Sequence, residues 1–185
     1  DQISATNRTF SYLGGAETIT LSDFGGANDD VSVISSTLGE AVNFNHNSLT
    51  SITIITTDGS GADTVNINSV DGNFSSNLTV TAGTDDTINT GTVDIGSGAL
   101  DLTGGQVNVN GAFTTTGSVD IDSTFGNIHF AAAGSIDAGT SEIDLTAASN
   151  VNSLNVTTTS EVRVTATLGG INDLTLNAQI TADRV

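Results

Sequence analysis

Val93-Asp94-Ile95, Leu100-Asp101-Leu102, Val107-Asn108-Val109 and Val119-Asp120-Ile121 follow one another along a single stretch of the chain, and their reading decides the fold. In each triplet two apolar residues flank one polar residue. That is the period of two with which side chains alternate between the faces of a strand. The stretch therefore predicts short strands, each with one apolar face turned inward and one polar residue turned outward.

The same triplet recurs in both directions. Toward the N-terminus it reads Ile19-Thr20-Leu21, Val31-Ser32-Val33, Val42-Asn43-Phe44, Ile52-Thr53-Ile54, Val65-Asn66-Ile67 and Leu78-Thr79-Val80. Toward the C-terminus it continues as Ile128-His129-Phe130, Ile143-Asp144-Leu145, Leu154-Asn155-Val156, Val162-Arg163-Val164 and Leu174-Thr175-Leu176. Gly, Asn, Asp and Ser separate the triplets, and 21 glycines interrupt every candidate helical stretch. β-Branched Val, Ile and Thr dominate while lysine and methionine are absent, which disfavours helix further. The fold class expected is all-β.

Triplets begin roughly 7 to 15 residues apart, and pairs of them make a period of roughly 20 to 25 residues, the length of one coil in many β-helices. A β-sandwich is the alternative, but it calls for longer strands, some proline and large core aromatics. Proline and tryptophan are absent here and aromatic content is 4%. Inward Val, Ile and Leu would stack on their counterparts one coil away, and outward Asn would hydrogen-bond along the stack. The expectation is a right-handed parallel β-helix, a β-solenoid, forming one elongated segment over residues 1–185 excised from a longer chain.

Charge narrows the partners. Twenty-one acidic residues face only Arg8, Arg163 and Arg184, for a net charge of -18. Such a surface repels nucleic acid and anionic membranes. The sequence offers no apolar run of about 18 residues, so membrane insertion is not expected. Without cysteine there is no disulfide scaffold and no thiolate chemistry.

Phrases such as Gly104-Gly105-Gln106-Val107-Asn108-Val109-Asn110-Gly111, Gly134-Ser135-Ile136-Asp137-Ala138-Gly139 and Asn172-Asp173-Leu174-Thr175-Leu176-Asn177-Ala178 resemble the β-helical shafts of filamentous-haemagglutinin-like and autotransporter-like bacterial adhesins. The resemblance covers residues 91–185, roughly half of the chain. It implies a parallel β-helical shaft at the bacterial cell surface or outside the cell. The function expected on that basis is a structural stalk, spacer or adhesive matrix module.

A local motif points to calcium. Gly59-Ser60-Gly61-Ala62-Asp63-Thr64-Val65 is similar to the calcium-binding nonapeptide turn of RTX proteins, with looser echoes at residues 25–31 and 82–88. Resemblance to that turn implies hard oxygen ligands from Asp29, Asp30, Asp58, Asp63, Asp85 and Asp86. RTX units stand in direct tandem, whereas these lie tens of residues apart, so polar turns between strands are the competing reading. A second acidic set, Asp94, Asp101, Asp120, Asp122 and Asp144, falls on outward strand positions where stacked like charges repel.

Catalysis is not expected. Carboxylate pairs such as Asp85 with Asp86 or Asp120 with Asp122 have the residue types of a polysaccharide-cleaving site. No lysine accompanies them, and His46 and His129 have no ligand-spaced partner. A polysaccharide-binding or polysaccharide-cleaving β-helix is the alternative function. The partners expected are flanking segments of the same chain, end-to-end copies, or a surface glycan. End-to-end stacking is anticipated because neither terminal stretch, 1–7 or 179–185, carries an evident cap.

Overall fold

The computed structural model describes residues 2–3, 6–12, 14–25, 30–37, 39, 41–57, 61–70 and 73–172. The described residues are all-β, and their strands stack as a β-solenoid of about 5 turns. In chain order they are β1 (Gln2–Ile3), β2 (Asn7–Ser11), β3 (Thr18–Asp23), β4 (Asp30–Ser35), β5 (Ala41–Asn45), β6 (Ser51–Thr56) and β7 (Thr64–Ile67). Next come β8 (Asn77–Ala82), β9 (Thr87–Thr90), β10 (Val93–Asp94), β11 (Leu100–Gly104), β12 (Gln106–Val109), β13 (Ala112–Thr114) and β14 (Val119–Ser123). The last are β15 (Ile128–Phe130), β16 (Ser135–Asp137), β17 (Ile143–Ala147), β18 (Val151–Asn152), β19 (Val156–Thr157), β20 (Val162–Ala166) and β21 (Ile171–Asn172).

Three sheets make the walls. The first runs β1-β2-β6-β8-β11-β14-β17-β20, the second β21-β18-β15-β12-β9-β7-β3-β4-β5, and the third, shorter, β10-β13-β16-β19. Every pairing from β6 onward is parallel. Ile52 sits beside Leu78, Leu78 beside Leu100, Leu100 beside Val119, Val119 beside Ile143, and Ile143 beside Val162, so a coil takes 19 to 26 residues. Since the strand register never slips, the difference in length is absorbed at the corners. From Ile52 to Leu145 the inward Val, Leu and Ile of this wall are at most 2% exposed. At about 1.5–3 kcal/mol for each fully buried Val, Leu or Ile, these columns are the main stabilising term.

Most triplets expected from sequence form strands within the described residues, but Leu154 and Asn155 precede β19 and Ile95 follows β10; Leu174-Thr175-Leu176 lies outside the described residues. Period-two reading caught only part of the third wall, marking Val93-Asp94-Ile95 at β10 but neither β13 nor β16. There the second inward position is filled by small or hydroxylated residues: Phe113 with Thr115, Ile136 with Ala138, Val156 with Thr158, all buried. An inward threonine is tolerable because its hydroxyl finds the corner backbone. Thr115 Oγ1 donates to Gly98 O at 2.5 Å and Thr158 Oγ1 to Ser141 O at 2.6 Å.

The N-terminal end departs from expectation. β1 lies antiparallel to β2, β4 pairs antiparallel with β3 and β5 antiparallel with β4, so antiparallel pairings cover the start of both long sheets. Over this end the Arg8 guanidinium sits 4.3 Å from the Phe44 ring centroid and 5.2 Å from that of Phe10. The buried His46 ring packs on Phe74 at 5.0 Å. A cap is present on this side, built from a hairpin whose triplets read like any other.

A longer period also emerges. From Val93 onward two coils of the first and third sheets span 43 positions, and at that shift Asp94 matches Asp137, Gly96 Gly139, Asp101 Asp144, Thr115 Thr158, Val119 Val162 and Phe125 Leu168. The register places the same pairs two rungs apart, since Phe113 stands between Val93 and Ile136, and Val119 between Leu100 and Ile143. Gly96 and Gly139 both hold a left-handed φ, 55° and 57°, and each donates its N–H to the Asp two residues before it. Alternate coils therefore share a turn design.

Candidate functional site

The predicted turn acids fall into three groups. Asp29 and Asp58 lie outside the described residues. Asp30 opens β4 beside Asn45, and Asp85 is exposed at a turn tip. Asp63 and Asp86 are brought together, each 2% exposed, at the corner between the first and second sheets.

Glu17 joins them, and sequence reading missed it. The acids precede β3, β7 and β9 as Glu17-Thr18-Ile19, Asp63-Thr64-Val65 and Asp86-Thr87-Ile88, one phrase used in three successive coils. Each carboxylate reaches back one coil. Asp63 Oδ1 accepts the Glu17 N–H at 2.7 Å, and Asp86 Oδ1 accepts the Asp63 N–H at 2.8 Å. Asp86 Oδ2 also accepts the Gly83 N–H at 2.6 Å and the Thr56 hydroxyl at 2.8 Å. Glu17 Oε2 takes the Ser35 hydroxyl at 3.2 Å. Burial, followed by the Glu17 charge, pushes the Tyr12 phenol up to about 12, so it stays protonated at neutral pH.

This chemistry is charge-assisted hydrogen bonding to donors the coil would otherwise leave unsatisfied. A calcium shell needs six or more oxygens free to face the ion. The Asp86 oxygens already face three donors, and no group of three or more His, Cys, Asp or Glu that could hold a metal occurs among the described residues. The described bonds of Asp63 and Asp86 make these two residues a brace between coils.

Of the second acidic set, Asp101, Asp120, Asp122 and Asp144 lie on the outer face of the first sheet. Asp101, Asp120 and Asp144 occupy successive rungs, and Arg163 takes the next. Its guanidinium meets Asp144 at 2.7 Å and Glu161 at 3.1 Å. Partial burial, then the charges of Asp122, Asp101 and Asp144, holds the Asp120 carboxyl above its ordinary value. Asp101 is raised by partial burial and then by Asp122. On the third sheet the rungs read Asp94, Thr114, Asp137, Thr157, so threonine separates the acids.

On the second sheet the outward ladder is amide. Asn89 Nδ2 donates to Asn66 Oδ1 at 3.0 Å and Asn108 Nδ2 to Asn89 Oδ1 at 2.9 Å, as the sequence reading expected of stacked asparagines. Gln106 Nε2 adds a 2.9 Å bond to Asn108, and His129 and Asn152 extend the row outward.

Two shallow grooves mark the corner that joins these faces. One, of about 330 Å³, lies between the 84–87 turn and Phe125, with Gly105 and Gln106 on the short turn between them. The Gly105 position lies against the Thr84 carbonyl, so a Cβ there would strike backbone. The other groove, of about 400 Å³, lies between Thr124 and Leu168, with Thr146 and Ala148 between. Phe125 is 75% exposed and Leu168 85% exposed.

Compared with protein-family models, characterised proteins and solved structures, the chain finds no match in any of the three.

Proposed function

We propose that the chain is a structural spacer, a stalk or matrix module of a secreted or cell-surface bacterial protein. The observation that carries this reading is the unbroken parallel register from β6 to β20 through coils of unequal length. A spacer has to transmit load along its axis, and continuous backbone ladders do so wherever the side chains change. Selection for a stiff rod would hold the inward columns and the register while leaving the outward rows free to be merely soluble. The mixed Asp, Asn and Thr of those rows, and the net charge of -18, agree with that. Further coils from flanking segments of a longer protein are its natural neighbours.

The reading is tested by small-angle scattering together with digestion by a non-specific protease under native conditions. A rod-like scattering profile and a protected fragment covering the stack from β8 to β20 are the expected results. Saturable nanomolar binding to one defined molecule on glycan and host-protein arrays would overturn it in favour of a dedicated receptor.

A further inference from the structure

Phe125 and Leu168 occupy the same position in the 43-residue repeat, two coils apart, and both stand out from the same corner. Two coils correspond to about 9.6 Å along the axis. The turn between them, around Ala148, is shorter and sets the knobs off as a ridge of protrusions and hollows with one period. Large apolar side chains left in water at a repeated position mark an interaction surface.

Charge tells what the surface meets. Residues 103–106, 123–127, 146–150 and 165–170, which carry the ridge, include no acidic or basic residue; Asp85 edges the groove beside Gly105 at its far wall, and the outer face of the first sheet bears Asp101, Asp120, Asp122 and Asp144. A chain of charge -18 repels its own copies least where such an uncharged ridge faces its like. We infer that this corner is a lateral self-association surface, where a second copy packs side by side and antiparallel.

A two-fold axis through the midpoint between the Phe125 coil and the Ala148 coil sets Phe125 of each copy into the groove beside Ala148 of the other. The same operation sets Leu168 into the groove beside Gly105, so both knobs are seated at once and the contact is isologous. Two knobs per copy cover far less than the roughly 1,200 Å² of a stable complex. Pairing of this segment is therefore weak, with Kd of about 0.1–1 mM, and gains strength as the number of repeats in register grows. This surface is different from the solenoid's ends, and its failure would leave the spacer reading intact, because protease protection and rod shape are properties of a single copy.

Sedimentation equilibrium at low and high sodium chloride reads the association. A reversible dimer is expected, tighter at high salt because screening lowers the repulsion between copies. Phe125→Asp and Leu168→Asp should each weaken it at least tenfold, while their melts match the parent because both side chains are exposed. The chain has no cysteine, so Thr124→Cys and Asn43→Cys can be compared with a short bis-maleimide. Cross-linking through Thr124→Cys but not through Asn43→Cys, which lies in the end strand β5, supports lateral packing. A monomer at every salt and concentration, a dimer indifferent to both aspartates, or cross-linking through Asn43→Cys alone would each overturn it.

Discussion

The solenoid carries two staircases of carboxylates that differ in where they stand. Glu17, Asp63 and Asp86 climb a buried corner, and the described bonds aim the Asp63 and Asp86 carboxylates at N–H donors of the coil before or of their own turn. Asp101, Asp120 and Asp144 climb an outer face with no donor between them until Arg163 closes the row. Stacking is the same in both; the partner differs. A column of acids braces the fold when backbone hydrogens stand between the rungs, and strains it when only other acids do.

Breaking the buried staircase should have the largest effect. Asp86→Ala strips acceptors from the Asp63 and Gly83 N–H groups and from the Thr56 hydroxyl, at a corner where Asp86 is 2% exposed. A loss of about 3 kcal/mol in unfolding free energy is expected from urea titration. Asp86→Asn should cost less, since one oxygen still accepts.

Converting a satisfied ladder into an acidic one comes next. Asn89→Asp removes the donor to Asn66 and adds a charge to the second sheet. It should lower stability by about 1 kcal/mol at neutral pH, with part of the loss recovered in acid as the new carboxyl is protonated.

Relief of the exposed staircase is a smaller effect of opposite sign. Asp120→Asn should raise stability at neutral pH by about 0.5 kcal/mol, a figure discounted for the exposure of the group. The raised carboxyls of Asp101 and Asp120 bind protons more tightly folded than unfolded. Their stabilising contribution is therefore complete below the ordinary carboxylate value and is lost as pH rises through the raised one. Melts from neutral pH down to about 4 should narrow the gap between Asp120→Asn and parent.

The smallest difference expected is between cations. At fixed ionic strength, calcium and magnesium should shift the melting midpoint alike, by screening the outer staircase, with the buried acids already bonded. A rise specific to calcium would instead assign an ion to the turns around Asp29 and Asp58.

Much of this was legible before any coordinates. Alternation such as Leu100-Asp101-Leu102 marks a strand because the inward side must be apolar over its whole length, and the coil wall follows from its repetition. The third wall was obscured because Thr115, Ala138 and Thr158 fill inward slots where a triplet should end in Val or Ile. Strand direction was equally hidden, since Val31-Ser32-Val33 reads the same in the reversed β4 as in a parallel rung. The turn acids were found by type, but the N–H and hydroxyl partners of Asp63 and Asp86 were not legible: a carboxylate facing N–H groups and one facing an ion share a sequence until the backbone around them is placed. Glu17 was within reach, through the acid-Thr-apolar phrase it shares with Asp63 and Asp86.

The reversed strands at the N-terminal end give the molecule a sense of time. β3, β4 and β5 are joined by short hairpin connections, whereas each parallel rung must wait for a loop of about twenty residues to close before its first pair forms. The meander is thus the cheapest nucleus in the chain, and each coil that forms on it becomes the template for the next. Order spreading from that end would follow the direction of synthesis, so a nascent solenoid would have its seed in place before its later rungs exist.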